Sequence, residues 1–236
     1  MSINFEELDF RATPIGAVSL RRRRLPGSHE DVYEIKLGDE FLMTSAFTAS
    51  EIALAEMGLD LCAGENLDVV VGGLGLGYTA QAVLQSERVK SLIVIETLQA
   101  VIDWHETGLL PLGAELSGDP RCRFVLKDFF AATVSDEGFD PGQPGRRHDA
   151  ILVDIDHSPE FLLNPANAAF YQPESLRRFT RRLNPGGVFA LWSNDRPDAG
   201  FVRTLEAVFS DVEAREVTFF NPLQQADFTQ TVYLAW

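Results

Sequence analysis

The spacing of apolar residues along this 236-residue chain changes near residue 48. Before that point, apolar and polar residues alternate in short runs, which is the pattern of strands that bury one face. Gly38-Asp39 separates two of these runs and suits the turn of a hairpin. Strands are therefore predicted at 15–25, 32–37 and 40–45, and residues 1–47 are expected to form a small N-terminal β-sheet region.

From residue 48 onward, a helix predicted over 48–61 is followed by short continuous apolar runs that alternate with helical stretches. Such runs are typical of parallel strands that crossover helices bury on both faces. The predicted strands are 67–71, 91–95, 123–126, 150–153 and 188–192, and the predicted helices are 77–86, 98–107, 129–134, 170–183 and 198–209. Two further strand-like runs, 212–220 and 231–236, have no helix between them and suggest an antiparallel pair.

The fold class follows from this order. Residues 48–236 are expected to be α/β, with a doubly wound, Rossmann-like sheet of the class I methyltransferase type that ends in antiparallel strands. The stretch 136–147 is rich in Gly and Pro and is expected to be an exposed loop.

Charge and composition narrow the possible partners. A formal net charge of −15 argues against a nucleic acid or an anionic membrane, and it suits a cationic small molecule, although the same charge could serve solubility alone. No apolar run approaches the roughly 20 residues that span a bilayer, and the N-terminus does not resemble a secretory signal. Cys62 and Cys122 form neither a disulfide framework nor a zinc-ligand spacing. We expect a cytoplasmic protein without a metal.

A glycine-rich loop follows the first predicted parallel strand and opens a helix. It contains Gly72, Gly73, Gly75 and Gly77, and glycines at this place let the backbone approach a nucleotide closely. Together with Ala80, the loop also satisfies the loose pattern G-x-G-x-x-A, so by itself it does not distinguish a nicotinamide cofactor from an adenosyl-sulfonium one.

Acidic residues end the next three predicted strands, all at the carboxyl edge where open α/β sheets bind ligands. Glu96 could accept hydrogen bonds from a ribose diol, while Asp128 could accept one from an adenine amine and Phe129 could pack on the ring. Asp154, with Asp156 in the same loop, could take a proton from an attacking amine or neutralise its charge. The alternative for Asp154 is a structural cap for the segment that follows.

These motifs resemble the spermidine synthase family of polyamine aminopropyltransferases, over roughly residues 30–236. The resemblance is carried by the strand and glycines at 69–73, Glu96, Asp-Pro-Arg at 119–121, Asp128, the Asp154 loop, Phe-Tyr at 170–171 and Leu-Asn-Pro-Gly-Gly at 183–187. It implies transfer of an aminopropyl group from decarboxylated S-adenosylmethionine to a polyamine, leaving methylthioadenosine. It also implies that Glu96 holds the ribose, that Asp128 holds the adenine, that Asp154 is the catalytic base, and that a homodimer could form through the N-terminal sheet.

The chain departs from the family pattern at three places. Gly75 stands where the family has an Asp that meets the aminopropyl amine of the donor. His157 stands where the family has a second carboxylate, with Asp156 nearby to replace the charge. The family's Tyr-His-Glu is Ala49-Ser50-Glu51 here, so Glu51 is the remaining carboxylate that could face an acceptor amine.

Three hypotheses remain open. The first is a spermidine synthase-like aminopropyltransferase. The second is a methyltransferase that uses intact S-adenosylmethionine, favoured by Gly75 because the missing Asp no longer repels the carboxylate of that donor. The third is a non-catalytic nucleotide-binding or regulatory protein of the same fold.

Overall fold

A computed structural model describes residues 5–24, 30–221 and 224–236. The end of the predicted strand 15–25 lies outside these residues. The N-terminal region is a four-stranded antiparallel sheet of order β1-β2-β3-β4. Its strands are β1 (Phe5–Thr13), β2 (Gly16–Arg24), β3 (Asp31–Leu37) and β4 (Glu40–Thr44).

Strand β1 was not predicted from the sequence, because none of its residues is fully buried and its apolar side chains are few. Acidic residues of β1 instead face the arginines of β2. Arg22 Nη2 lies 2.5 Å from Glu6 Oε2, and Arg21 Nη2 lies 3.8 Å from Glu7 Oε2. The basic cluster of the sequence is therefore paired across the strands.

The remaining chain forms the predicted α/β domain around a seven-stranded sheet of order β10-β11-β9-β8-β5-β6-β7. Strands β5 to β9 run parallel, and β11 is antiparallel to both β9 and β10, which confirms the expected fold class. The elements are α1 (Ala49–Asp60), β5 (Leu67–Gly72), α2 (Tyr78–Gln85), β6 (Val89–Glu96), α3 (Gln99–Glu106), α4 (Gly113–Gly118), β7 (Cys122–Leu126), α5 (Phe129–Val134), β8 (His148–Val153), α6 (Pro173–Phe179), β9 (Leu183–Ser193), α7 (Ala199–Glu206), β10 (Val212–Asn221) and β11 (Ala226–Ala235).

Two predicted segments differ from the structure. The helix predicted at 170–183 is divided, because Pro173 has no N–H for a preceding turn and instead occupies the first turn of α6. Short 3-10 turns, Pro165–Ala169 and Thr180–Arg182, flank it. The loop 136–147 is not wholly exposed: Phe139 and Asp140 are buried, because Phe139 stacks on Phe129 and Asp140 pairs with Arg123 and Arg146.

Both faces of the large sheet are covered. Val69 and Val71 belong to the apolar cluster on one face, and Val70 belongs to the cluster on the other. The first cluster also contains Leu20 and Ile35, so the N-terminal sheet packs on the same core. Within the described ranges, none of the helices combines the length and apolarity needed to cross a membrane.

Strand β5 marks the point where the strand order reverses. The chain continues from β5 to β6 and β7 on one side, whereas β8 and β9 lie on the other side. Gly72, at the end of β5, is paired with Ile95 of β6 and Val153 of β8. Open α/β sheets bind ligands in the crevice outside such a reversal, so the geometry directs attention to this edge.

Candidate active site

A cavity of about 180 Å³ lies at the carboxyl edge of the large sheet, beneath the N-terminal sheet. The glycine loop, the ends of β6 and β8, and the segment after β7 form one side of it. Strands β3 and β4 and the start of α1 close it from the other side. Its polar and charged lining residues are Glu51, Glu96, Thr97, Lys127, Asp128, Asp154, His157, Asn164 and Asn167.

The glycine loop is held against the strand ends by two close approaches. Gly73 has a φ of 93°, and a Cβ there would lie 2.1 Å from the carbonyl oxygen of Asp154. Gly75 has a φ of 47°, and a Cβ there would lie 2.7 Å from Met43 Sδ. Both positions favour glycine because a side chain would be strained and would clash. The space beside Gly75 is thus filled by a thioether from β4.

The other two predicted glycines support the same loop. Gly72 packs against the ring of Phe129, since a Cβ there would lie 2.6 Å from that ring. Gly77 is the residue before α2 and packs beside Leu116 and His105. His105 Nε2 lies 3.0 Å from the carbonyl oxygen of Gly75, and burial lowers the pKa of this imidazole, so its neutral form holds the loop.

Glu96 ends β6 and is buried at the cavity wall. Leu98 N–H donates to its Oε1 at 2.8 Å, and Leu74 N–H donates to its Oε2 at 3.1 Å. Burial raises the pKa of Glu96, while these backbone donors oppose the rise. Backbone N–H groups of Thr97 and Gly75 also lower the pKa, so four backbone donors fix this carboxylate at the cavity wall, where it can face a ligand diol.

Asp128 and Phe129 follow β7 and also line the cavity. Asp128 Oδ1 accepts from Ala131 N–H at 3.0 Å and caps α5, which leaves Oδ2 of this exposed side chain to a ligand. Phe129 is buried and stacks on Phe139, with ring centroids 5.1 Å apart. The ring is therefore fixed beside the glycine loop.

Asp154 and Glu51 both line the cavity and form an acidic pair. Thr79 Oγ1 donates to Asp154 Oδ2 at 2.8 Å, and Ser50 Oγ donates to Glu51 Oε2 at 2.7 Å. Burial raises the pKa of both carboxyl groups, and the charge of Asp154 raises that of Glu51 further. Burial therefore opposes the ionised form of each carboxyl group, and a positive charge beside the pair would favour it.

Lys127 is the one lysine or arginine among the described residues that line this cavity, and it is already occupied. Its Nζ pairs with Glu137 and donates to the carbonyl oxygen of Gly138 at 3.0 Å. Among the residues that the structure describes, neither Glu51 nor Asp154 has a cationic partner, and a ligand cation would supply one. In the described part of the chain, no group of three or more His, Cys, Asp or Glu could hold a metal ion.

Asp156 does not lie where it was expected. Its carboxylate is buried outside the cavity wall and accepts from Leu163 N–H, Asn167 Nδ2 and Tyr171 Oη, the last at 2.8 Å. Because these donors already occupy it, Asp156 fixes the loop after β8, and it is not among the residues that line the cavity. His157 does line the cavity, and its ring packs on Phe161 at a centroid distance of 5.1 Å.

Four residues of the site were missed by the sequence analysis. Met43 reaches the glycine loop from the N-terminal sheet, and Leu76 N–H lies 3.1 Å from its sulfur. Thr79 orients Asp154, while Ser50 orients Glu51. Trp192 Nε1 donates to Ser50 Oγ at 2.9 Å across 142 positions of sequence. The contacts of Met43, Thr79 and Trp192 join segments far apart in the sequence, so no local pattern signals them.

Sequence comparison finds relatives among the polyamine aminopropyltransferases, although no family model matches the chain. The chain is 27% identical over 160 residues to polyamine aminopropyltransferase 2 of Pseudomonas aeruginosa, covering 65% of this chain and 43% of that protein. It is 32% identical over 145 residues to the polyamine aminopropyltransferase of Prochlorococcus marinus, covering 59% of this chain and 44% of that protein. The chain thus spans less than half the length of these curated relatives.

Structural comparison extends the similarity to the whole chain. A spermidine synthase crystallised with the transition-state analogue AdoDATO matches with a TM-score of 0.74 at 17% identity, covering 97% of this chain and 73% of that one. Spermidine synthase from Thermotoga maritima matches with a TM-score of 0.73 at 18% identity, covering 97% and 72%. Identities this low establish the fold alone. Together, the comparisons show that part of the chain is similar in sequence to polyamine aminopropyltransferases and that the chain shares the class I methyltransferase-like fold of spermidine synthases.

Proposed function

We propose that the protein transfers the aminopropyl group of decarboxylated S-adenosylmethionine to the nitrogen of a small-molecule amine. The observation that carries this proposal is the acidic pair of Glu51 and Asp154, which lies beside the glycine loop without a cationic partner among the described residues. A bound cation stabilises the ionised form of a buried carboxylate pair, which burial otherwise opposes. The amine acceptors and the decarboxylated donor of the named relatives meet this requirement.

The reaction needs the acceptor nitrogen to lose a proton. Its lone pair attacks the propyl carbon bound to the sulfonium, a C–N bond forms, and the C–S bond breaks with its electrons moving to sulfur. The products are methylthioadenosine, an aminopropylated amine and one proton. Asp154 accepts that proton, and burial makes it a stronger base than an exposed carboxylate. Glu51 neutralises the ammonium and orients the nitrogen.

The nucleoside of the donor is assigned to the other end of the cavity. Glu96 accepts from the ribose hydroxyls, Asp128 accepts from the adenine amine, and Phe129 packs beside the ring. The glycine loop, including Gly73 and Gly75, lies along the donor between these groups and Asp154. Each assigned residue lines the cavity, which supports this arrangement.

Methyl transfer from intact S-adenosylmethionine is the second candidate. Gly75 favours it, because this position has no side-chain carboxylate to repel the donor's own carboxylate. The acid pair opposes it, and Lys127 already has a carboxylate partner. The electrostatics of the whole cavity therefore favour the decarboxylated donor.

Calorimetric titration of one preparation with decarboxylated S-adenosylmethionine, intact S-adenosylmethionine and methylthioadenosine tests the proposal. We expect the decarboxylated donor and methylthioadenosine to bind more tightly than the intact donor. Preference for the intact donor would favour methyl transfer, and binding without turnover of any amine would favour a regulatory protein.

Asp154→Asn tests the catalytic assignment. The variant should lose nearly all turnover and keep its affinity for methylthioadenosine, because the amide cannot take the proton. Asp60→Asn is the matched control, since Asp60 is exposed at the end of α1 and should have no effect on turnover. Unchanged turnover in Asp154→Asn would remove this residue from the mechanism.

A further inference from the structure

The cavity offers very few negative charges to an acceptor. Four carboxylates line it among the described residues: Glu51, Glu96, Asp128 and Asp154. Glu96 ends β6, and Asp128 follows β7. Both accept backbone N–H groups, and the proposed function assigns both to the nucleoside of the donor. Only Glu51 and Asp154 remain for the acceptor, and they act on each other electrostatically. A single ammonium can pair with both carboxyl groups, because they lie close enough to act on each other.

The wall beside this pair is neutral. Strands β3 and β4, which lead directly into the helix that carries Glu51, contribute Ile35, Leu37 and Leu42. Trp192 lies on the same cavity and is tied to Ser50, the neighbour of Glu51. Methylene groups of a ligand can be buried against these side chains, and each buried methylene group raises the affinity of the ligand about fourfold.

The polar part of the wall carries no negative charge either. His157 contributes none in either protonation state, and its ring is packed against Phe161. The amide nitrogen of Asn167 is committed to Asp156, whose carboxylate is saturated and lies outside the cavity. A second ammonium bound here would lose its hydration without gaining an ionic partner, which opposes its binding.

We infer that the acceptor is a monoamine, with one ammonium at Glu51 and Asp154 and an apolar remainder against β3, β4 and Trp192. This inference rests on the proposed function, and it narrows the acceptor from amines in general to those with a single positive charge inside the cavity. It explains why a deep site of an acidic protein is lined mainly by aliphatic side chains on its N-terminal side.

A pair of amines of equal length tests the inference. n-Pentylamine and 1,4-diaminobutane have the same number of heavy atoms and differ by a methyl group in place of one ammonium. Each is titrated into the full chain saturated with methylthioadenosine, whose own binding is measured first. We expect pentylamine to bind at least tenfold more tightly. Equal or tighter binding of the diamine, or no binding of either amine, would overturn the inference.

A charge added to the neutral wall gives the converse test. His157→Asp should tighten 1,4-diaminobutane at least tenfold and leave pentylamine unchanged or weaker, because the new carboxylate pairs with the second ammonium. His157→Asn removes the imidazole without adding charge and should not improve diamine binding. If His157→Asp leaves the ratio of the two affinities unchanged, the neutral wall does not set the preference and the inference fails.

These results separate the inference from the proposed function. Turnover of the diamine with tight binding would refute the monoamine assignment and leave aminopropyl transfer intact. Failure of methylthioadenosine and the decarboxylated donor to bind, measured before any amine is added, would instead refute the proposed function.

Discussion

Replacing Glu51 by Gln should make the folded protein more stable while it weakens binding of the acceptor. Glu51 is buried in the first turn of α1, and its one uncharged side-chain donor is Ser50. Gln has nearly the same shape, and its amide oxygen can still accept from Ser50. Its amide nitrogen can also donate toward Asp154. The substitution therefore removes the repulsion of the pair without opening a cavity.

The sign of the pH dependence follows from the direction of the pKa shift. Burial and the charge of Asp154 raise the pKa of Glu51 above 4.5, so the folded state holds a proton that the unfolded state releases. The free energy of unfolding then falls as pH rises from the ordinary carboxyl pKa through the raised one. Each pKa unit corresponds to about 1.4 kcal/mol, so we expect Glu51→Gln to gain about 1–3 kcal/mol near pH 8. The gain should vanish near about pH 4, where Glu51 is protonated in both states.

Urea denaturation at the two pH values measures this difference directly, because the midpoint at unchanged slope reports the free energy of unfolding. Glu56→Gln is the matched control, since Glu56 is exposed on the same helix and should change stability little at either pH. A loss of stability in Glu51→Gln at the higher pH would refute the electrostatic reasoning. An equal gain at both pH values would do the same, because packing and not charge would then be its cause.

Two further variants test the nucleoside side of the cavity. Glu96→Ala should weaken methylthioadenosine binding by about 1–3 kcal/mol through loss of hydrogen bonds to the ribose, and unaltered affinity in calorimetry would contradict the ribose assignment. Gly73→Ala should destabilise the fold by more than about 2 kcal/mol in urea denaturation, because its Cβ would meet the Asp154 carbonyl oxygen at 2.1 Å. Gly64→Ala is the control: Gly64 also has a positive φ but has nothing within 4 Å of its Cβ, so equal losses would exclude the clash as the cause.

Much of the fold could be predicted because its strands are buried on both faces. Val69, Val70 and Val71 are all fully buried, so β5 appears in the sequence as an uninterrupted apolar run. Strand β1 gives no such signal, because ion pairs with β2 replace an apolar face. The break before α6 comes from Pro173, which the apolar spacing of the surrounding residues conceals.

The candidate site also contains some residues that the sequence predicts and others that it does not. Glu96, Asp128 and Asp154 could be placed on one cavity because the ends of parallel strands meet at one edge of a sheet. Which carboxylate faces a ligand could not be predicted, since Asp156 is turned inward by Tyr171 and Asn167. The contacts of Met43 and Trp192 depend on how the N-terminal sheet and α1 pack on the large sheet.

The most direct test of aminopropyl transfer is mass spectrometry of the products formed from each donor with n-pentylamine. Decarboxylated S-adenosylmethionine should yield methylthioadenosine and pentylamine enlarged by one aminopropyl group, and intact S-adenosylmethionine should yield neither product. Methylated amine and S-adenosylhomocysteine from the intact donor, with no aminopropylated product from the decarboxylated one, would contradict the proposal.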